Sequence, residues 1–186
     1  PEKVKDQAQL TAAARQEQEQ LKTWLAKRPA TDKFGGLLNG PVFKPSGFFQ
    51  TVKQDGRWYL VTPEGNAFFS LGVNTVTTSH SKTYVEGRER MFNALPAEGE
   101  ALAAFYGTGD NRGRAFDHGR WFDFYNANLQ RIDGQGNSSA WPQRSLDRLQ
   151  AWGFNTLGNW SDSAFAGNER VPYTLPLSIR GDFASI

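Results

Sequence analysis

Apolar residues at helical spacing predict one helix over residues 5–28. They recur at intervals of three and four positions, whereas Gln, Glu and Arg occupy the remaining faces. Pro29 ends this pattern because proline cannot continue a helix. We interpret residues 1–30 as a linker or packing helix. Its apolar stripe consists of Leu10, Ala13, Ala14, Leu21, Trp24 and Leu25.

Two turn signals follow and predict a small antiparallel region over residues 31–66. Strand-like runs at 48–53 and 57–62 flank Asp55-Gly56, and a type I′ hairpin turn requires positive φ at both central residues. The segment 63–66, Pro-Glu-Gly-Asn, is a second turn, in which Pro presets φ and Gly relieves strain.

Three later apolar runs predict strands of a parallel α/β fold, at 67–75, 154–158 and 171–179. The first run lacks clean alternation, as expected of a strand that is covered on both faces. A short helix over 142–152 precedes the second run. This order of elements is typical of a parallel sheet: a strand, a long connection with a helix, a second strand, a short connection and a third strand.

The connection over residues 77–140 is unusually long, and such connections are often functional surfaces. Its residue pattern predicts a short helix around 86–95 and an amphipathic aromatic helix around 119–132. Between them lies a glycine-rich patch at 107–113. Its spacing does not fit the dinucleotide fingerprint, so we predict a flexible loop there.

Composition narrows the classes of protein and of functional site that are possible. The 186 residues include 38% apolar and 22% charged residues, with 6 Trp, 14 Phe and 5 Tyr, so a core can form. The absence of Cys excludes disulfides and thiol catalysis, and two isolated His make a metal site improbable. A net charge of +2 with interspersed signs does not indicate nucleic-acid binding, and no apolar run is long enough to span a membrane.

Polar and aromatic side chains follow the predicted strands and suggest a sugar-binding surface. Asn74 lies at the end of the first strand, and Asn159, Trp160 and Asp162 follow the second, where side chains of parallel sheets converge on ligands. Amides and an indole suit the polar edges and C–H faces of a sugar ring. The two Asn side chains alternatively only fix loop backbone. His80, in a polar loop, is either a sugar ligand or a plain surface histidine.

No pair of carboxylates marks a hydrolytic centre. Glycosidases need two carboxyl groups, and Asp162 is the only one that lies just after a strand end beside an aromatic residue. We therefore assign no catalytic residue, no metal ligand and no cofactor.

Several stretches together resemble the start of the catalytic barrel in glycoside hydrolase family 50, the bacterial β-agarases, which are clan A enzymes related to β-galactosidases. The resemblance covers about residues 45–180, and the last of these stretches is the most specific. They are Asp55–Val61 leading into Phe68–Asn74, then Glu86–Phe92, Phe124–Leu129, and Arg148–Asp162, which reads RLQAWGFNTLGNWSD.

The resemblance implies a partial TIM (β/α)8 barrel, about its first three strands, over residues 67–186. It further implies retaining hydrolysis of β-1,4-galactosidic bonds in agarose-type galactan, by two glutamates at the ends of the fourth and seventh strands. No residue here matches either motif. The rest of the same polypeptide is then expected to complete the barrel, since Pro1 and a lone Met91 indicate a piece of a longer protein. A secreted, periplasmic or cell-surface location is also implied.

Two other functions remain open at this point. A non-catalytic carbohydrate-binding module would also display Trp and Asn, although such modules are usually β-sandwiches. A structural or interaction domain would instead rest on the Gln-rich first helix.

Overall fold

The computed structural model describes residues 4–110, 118–134 and 140–177. They form a mixed helix-and-sheet fold with three small sheets, and the described residues contain no closed barrel. Two compact units are present. The first combines described residues of Pro1–Gln18 and Thr77–Gln143, and the second those of Glu19–Val76 and Arg144–Ile186.

An antiparallel sheet in the second unit confirms the predicted hairpin. Strands β1 (Gln50–Gln54) and β2 (Arg57–Val61) pair with Val52 opposite Tyr59, and β3 (Ala67–Phe68) pairs with the other edge of β2. Asp55 and Gly56 have φ values of 51° and 78°, as a type I′ turn requires.

A parallel pair in the same unit corrects the first predicted strand. The run 67–75 is not one strand: β3 belongs to the antiparallel sheet, and the chain then joins a second sheet as β4 (Gly72–Val73). Between them Phe69 is 74% exposed, so the run is not covered on both faces. β4 pairs in parallel with Thr156–Leu157 of the later chain.

The third predicted strand is reduced to one parallel bridge. Leu157 bridges Tyr173, with hydrogen bonds from the Leu157 amide to the carbonyl of Pro172 and from the Thr174 amide to the carbonyl of Leu157. Within 171–177 no longer strand forms, since Pro172 and Pro176 lack the amide hydrogen that a ladder needs. The last two residues of the predicted strand, 178 and 179, lie outside the described residues.

The first unit contains a sheet that the sequence did not predict. Strands β5 (Lys82–Tyr84), β6 (Tyr106–Asp110) and β7 (His118–Asp123) pair antiparallel in the order β5-β7-β6. The predicted flexible loop at 107–113 is therefore wrong for residues 107–110, which lie in β6. Residues 111–113 lie outside the described part of the chain.

Helix α2 (Phe124–Asp133) begins later than predicted, and the helix predicted at 86–95 is only one 3₁₀ turn, Glu89–Met91. The side chain of Asp123 accepts a hydrogen bond from the amide of Asn126 at 3.0 Å and so caps α2. Trp121 and Phe122 therefore belong to β7. Phe122 and Ala127 form the buried core of this unit with Val85, against which six partly buried residues pack: Phe92, Leu95, Leu102, Phe105, Tyr106 and Phe124.

The two remaining helices and β8 (Thr156–Leu157) confirm their predictions in outline. Helix α1 spans Gln7–Leu25 and α3 spans Ala140–Trp152. No helix of the described chain has the length and apolar character needed to cross a bilayer. The buried apolar residues of the second unit are Leu21, Val61, Ala67, Phe68, Leu146, Leu149, Ala151, Leu157, Phe165 and Val171.

Replacing Gly107 by alanine is expected to destabilise the first unit by about 2 kcal/mol, because the new Cβ would overlap the indole of Trp121. Displacing the indole would also weaken its contact with the Lys82 ammonium, which lies 4.4 Å from its ring centroid. Amide hydrogen exchange of β6 and β7 measures the change. Gly109→Ala on the same strand is the control: its Cβ would meet Trp121 Nε1 at 3.4 Å, an ordinary contact. Equal effects of the two substitutions would contradict the overlap.

Candidate functional site

The carboxyl ends of β4 and β8 bring two predicted site residues together. Val73 lies beside Leu157 in the parallel ladder, and the Gly158 amide donates to the Val73 carbonyl at 2.8 Å. The pairing continues beyond both strands, where the Thr75 amide donates to the Asn159 carbonyl at 2.8 Å. Asn74 and Asn159 are therefore neighbours, as expected for parallel strand ends.

The side chain of Asn74 fixes the backbone of its neighbour. Its Oδ1 accepts a hydrogen bond from the Asn159 amide at 3.1 Å. Any Cβ at position 158 would overlap this oxygen, so Gly158 permits the close approach. The Nδ2 group of Asn74 makes no hydrogen bond within the described chain. One end of this exposed amide thus holds the loop, and the other remains available to a ligand.

Ser161 and Asp162 join the same two loops. Ser161 Oγ accepts from the Val76 amide at 3.3 Å and donates to the Gly158 carbonyl at 2.9 Å. The Asp162 amide donates to the Val76 carbonyl at 2.9 Å. Asp162 Oδ1 accepts from the Ala164 amide at 2.9 Å and caps the 3₁₀ helix Ser163–Phe165. At least one oxygen of this carboxylate therefore has a structural role.

Trp160 lies at the surface in an unusual backbone conformation. Its side chain is 67% exposed and its φ is 60°. Thr75, on the facing loop, has a φ of 57°. The left-handed region costs a residue with a side chain roughly 1–2 kcal/mol, and such outliers concentrate at functional sites. Sequence reasoning found Trp160 but missed Thr75, because no residue pattern marks a threonine for this conformation.

His80 belongs to a different compact unit from the other four predicted site residues. It belongs to the first unit, is exposed, and lies two residues before β5. Asn74, Asn159, Trp160 and Asp162 all belong to the second unit. Hence the structure assembles four of the five predicted site residues on one pair of loops.

A cavity of about 570 Å³ in the second unit lies away from these loops. Gly153, Phe154 and Asn155, which precede β8, contribute to its wall, so it lies at the amino end of that strand. Ligand sites of parallel α/β folds form at the opposite, carboxyl end. The cavity is therefore not the candidate site.

The carboxylate of Asp32 lies in this cavity wall and is held by four donors. Burial alone would raise its pKa, but hydrogen bonds from Thr62, Asn66 and the amides of Gly36 and Phe34 outweigh burial and lower the pKa below the usual range. The Phe34 and Gly36 amides reach Oδ1 at 2.9 and 2.8 Å. This carboxylate therefore organises the loop around it.

The loops at Asn74 and Asn159 provide neither a metal centre nor a carboxylate pair. Among the described residues, no three His, Asp or Glu side chains could hold a metal ion. Asp162 is the only acidic residue within 74–76 and 158–166, which contain no Lys or Arg either. Without a second carboxyl group nearby, these loops suit binding of a neutral ligand through amide and indole groups.

Comparisons with known proteins give related sequences along the whole chain. No protein-family model matches it. β-Agarase B of Vibrio sp. (strain JT0107) is 35% identical over an alignment of 207 residues, which includes 100% of this chain and 22% of that protein. β-Agarase A of the same strain is 33% identical over 141 residues, covering 69% of this chain and 13% of that protein. The chain thus spans less than a quarter of either relative.

Solved structures agree with the sequence relatives. The crystal structure of an agarase, AgWH50C, matches 93% of this chain and 27% of that chain with a TM-score of 0.78 and 32% identity. PfGH50B matches 92% of this chain and 27% of its own with a TM-score of 0.79 and 33% identity. An exo-β-agarase matches with a TM-score of 0.80 and 29% identity, covering 92% of this chain and 29% of its own.

Proposed function

We propose, since this chain belongs to the β-agarases of glycoside hydrolase family 50, that it supplies sugar-binding loops to a larger agarose-degrading enzyme. The observation that carries this proposal is the juxtaposition of Asn74, Asn159 and Trp160 at the ends of two parallel strands. The cleaving carboxyl groups come from the rest of the polypeptide, because these loops contain no carboxylate pair. We further propose retaining hydrolysis of β-1,4-galactosidic bonds.

The wider architecture that we propose is a (β/α)8 barrel, of which β4, β8 and the segment at Tyr173 form the first strands. They lie side by side in chain order and in parallel, as successive barrel strands do. Apolar side chains near the outer strands lack cover: Leu175 is 68% and Leu177 83% exposed. Strand edges and apolar faces of this kind require a partner, and further strands of the same polypeptide would provide it.

The substrate class that fits the loops is an unsulfated galactan. Sulfated polysaccharides carry many negative charges and are generally bound by Lys or Arg, which 74–76 and 158–166 lack. Trp160 offers an exposed aromatic face for the C–H face of a sugar. Since a polysaccharide such as this galactan is not taken up intact across a membrane, we also propose a secreted, periplasmic or cell-surface location.

A non-catalytic carbohydrate-binding module fits less well. Modules of that type are usually β-sandwiches, which lack parallel pairing of the β4–β8 kind. Three α-helices, α1 to α3, add to the difference.

Hydrolysis of agarose by the full-length protein tests the proposal. Release of reducing ends from agarose, with little release from a sulfated galactan such as carrageenan, is the expected result. Agarose hydrolysis by the isolated 186-residue chain would contradict the assignment of the cleaving carboxyl groups to the rest of the polypeptide.

Replacing Trp160 by alanine in the full-length enzyme is expected to raise KM for agarose oligosaccharides about tenfold, with a smaller change in kcat. Loss of one stacking contact costs roughly 1–1.5 kcal/mol, and 1.4 kcal/mol corresponds to a factor of ten. Trp58→Ala is the matched control, because Trp58 belongs to the same unit and is 70% exposed on the hairpin. A similar rise in KM for Trp58→Ala, or no rise for Trp160→Ala, would contradict the assignment of Trp160 to the sugar-binding site.

A further inference from the structure

Three residues other than glycine have positive φ within the described chain, and two of them face each other at the candidate site. Asp55 is the third, and its hairpin turn requires that conformation. Neither Thr75 nor Trp160 lies in such a hairpin. For a β-branched residue such as Thr75 this conformation is a genuine outlier, which persists only where surrounding contacts enforce it.

The enforcing contacts link Thr75 to Asn159, which precedes Trp160. The Thr75 amide donates to the carbonyl of Asn159. The preceding side chain, Asn74, accepts from the amide of the same Asn159. Thr75 and Asn74 thus each make one hydrogen bond to Asn159, and the backbone at position 75 connects the Asn74 amide with the loop that carries Trp160.

The hydroxyl of Thr75 takes no part in this link. Within the described residues the only hydrogen bond of Thr75 is that of its backbone amide, and the side chain is exposed. What threonine adds over glycine is stiffness, since a branched Cβ leaves few backbone and χ1 states open. A glycine would relieve the strain but would let the loop sample other conformations.

We propose that Thr75 is a positioning residue of the agarose-binding loops. The contacts enforce its left-handed backbone, and its branched Cβ restricts that backbone further, so that Asn74 and Trp160 keep a binding geometry before the sugar arrives. This reduces the entropy lost on binding. This inference rests on the proposed function, and it adds a residue that makes its contribution through the loop backbone.

Three variants of the full-length enzyme test the proposal. Thr75→Gly is expected to raise KM for agarose oligosaccharides about fivefold with kcat nearly unchanged, since loosening the loops weakens ground-state and transition-state binding equally. Its Tm is expected to equal or exceed that of the wild type, because strain is relieved. A purely structural role would instead lower Tm together with activity. Thr75→Val, which keeps the branched shape, and Thr75→Asn, which tolerates left-handed backbone, are expected to retain wild-type KM within about twofold.

Each other outcome has a distinct meaning. A wild-type KM in Thr75→Gly would overturn the inference, and so would a KM in Thr75→Val as high as in Thr75→Gly, which would indicate a hydroxyl contact with the sugar. If the wild type hydrolyses agarose and Trp160→Ala raises KM, either of these results for the Thr75 variants contradicts only this inference and leaves the proposed function intact. If the wild type does not act on agarose, the proposed function itself fails.

Discussion

Replacing Gly65 by alanine is expected to lower the free energy of unfolding of the second unit by about 3 kcal/mol. Gly65 has a φ of 93°, a conformation that costs a residue with a side chain roughly 1–2 kcal/mol. The new Cβ would also overlap the carbonyl oxygen of Phe43 and lie 3.2 Å from the nitrogen of Pro45. Overpacking of this kind typically costs a further ~1–3 kcal/mol.

The clash cannot be avoided by a side-chain movement, because the obstacle is backbone. The Phe43 amide donates to the Gly65 carbonyl at 2.7 Å, so withdrawal of this segment would break the hydrogen bond that attaches it. The Thr62 amide donates to the Asn66 carbonyl at 2.9 Å and closes the same turn. The damage is therefore expected to spread into β2 and β3. Hydrogen exchange of their amides in the full-length protein measures it.

Gly56 supplies the matched control for this prediction. It also has positive φ, at 78°, but a Cβ there would meet no atom within 4 Å. Gly56→Ala should therefore cost only the backbone strain, about 1 kcal/mol. If both substitutions cost the same, the contact with Phe43 is not the cause of the Gly65 effect.

Elements defined by local chemistry could be predicted from the sequence. Asp55-Gly56 specifies the β1–β2 hairpin because few residue pairs accept positive φ at both positions. The family resemblance drawn from residues 45–180 is confirmed by a relative that aligns with the whole chain and by a solved structure that covers 93% of it. The neighbouring positions of Asn74 and Asn159 also followed from a general rule, since side chains at the ends of adjacent parallel strands converge.

The sheet β5-β7-β6 could not be predicted, because its strands depend on distant partners. Strand β6 reads Tyr-Gly-Thr-Gly-Asp, and glycine has a low intrinsic preference for strands. Gly107 occurs there because the indole of Trp121, opposite it on β7, leaves no space for a larger residue. That requirement is visible only once the two strands are paired.

The left-handed conformation of Thr75 was unpredictable for a related reason. Threonine rarely adopts it, so local preference favours an extended backbone. It is imposed instead by hydrogen bonds to a loop about 85 residues later, in which the Asn159 carbonyl accepts from the Thr75 amide and Ser161 Oγ from the Val76 amide. Functional loops commonly depart from local preference in this way, because their geometry is determined by tertiary contacts.

Replacing Asp32 by alanine is expected to destabilise the second unit by about 3 kcal/mol at neutral pH. The substitution leaves four donors without their acceptor: the amides of Phe34 and Gly36 on Oδ1, and Thr62 Oγ1 and Asn66 Nδ2 on Oδ2. Hydrogen bonds to a charged group contribute roughly 1.5–3 kcal/mol, and Thr62 and Gly36 are buried, so water replaces the carboxylate poorly. Thr62→Val removes one of these donors and also the acceptor of the Asn66 amide, and it should cost about 2 kcal/mol.

The lowered pKa of Asp32 adds a pH dependence whose sign follows from linkage. The hydrogen bonds favour the ionised form in the folded state, so the unfolded state binds a proton first as the pH falls. The stabilisation is therefore complete above the ordinary Asp value of about 3.9 and is lost as the pH falls from there through the lower folded pKa. Hydrogen exchange of the Phe34 and Gly36 amides between neutral and acid pH measures this loss, after correction for the intrinsic exchange rate.

Asp32→Asn separates charge from shape in this network. Asparagine has nearly the same size, but its Nδ2 donates where the protein already presents donors, so we expect a loss of about 2 kcal/mol near neutral pH. Because asparagine does not titrate, the variant's remaining stability should not decline further between pH 4 and the folded pKa through this site. A variant that kept the wild-type decline would show that another carboxyl group causes it, whereas Thr62→Val should keep most of that decline because three donors still favour the ionised form.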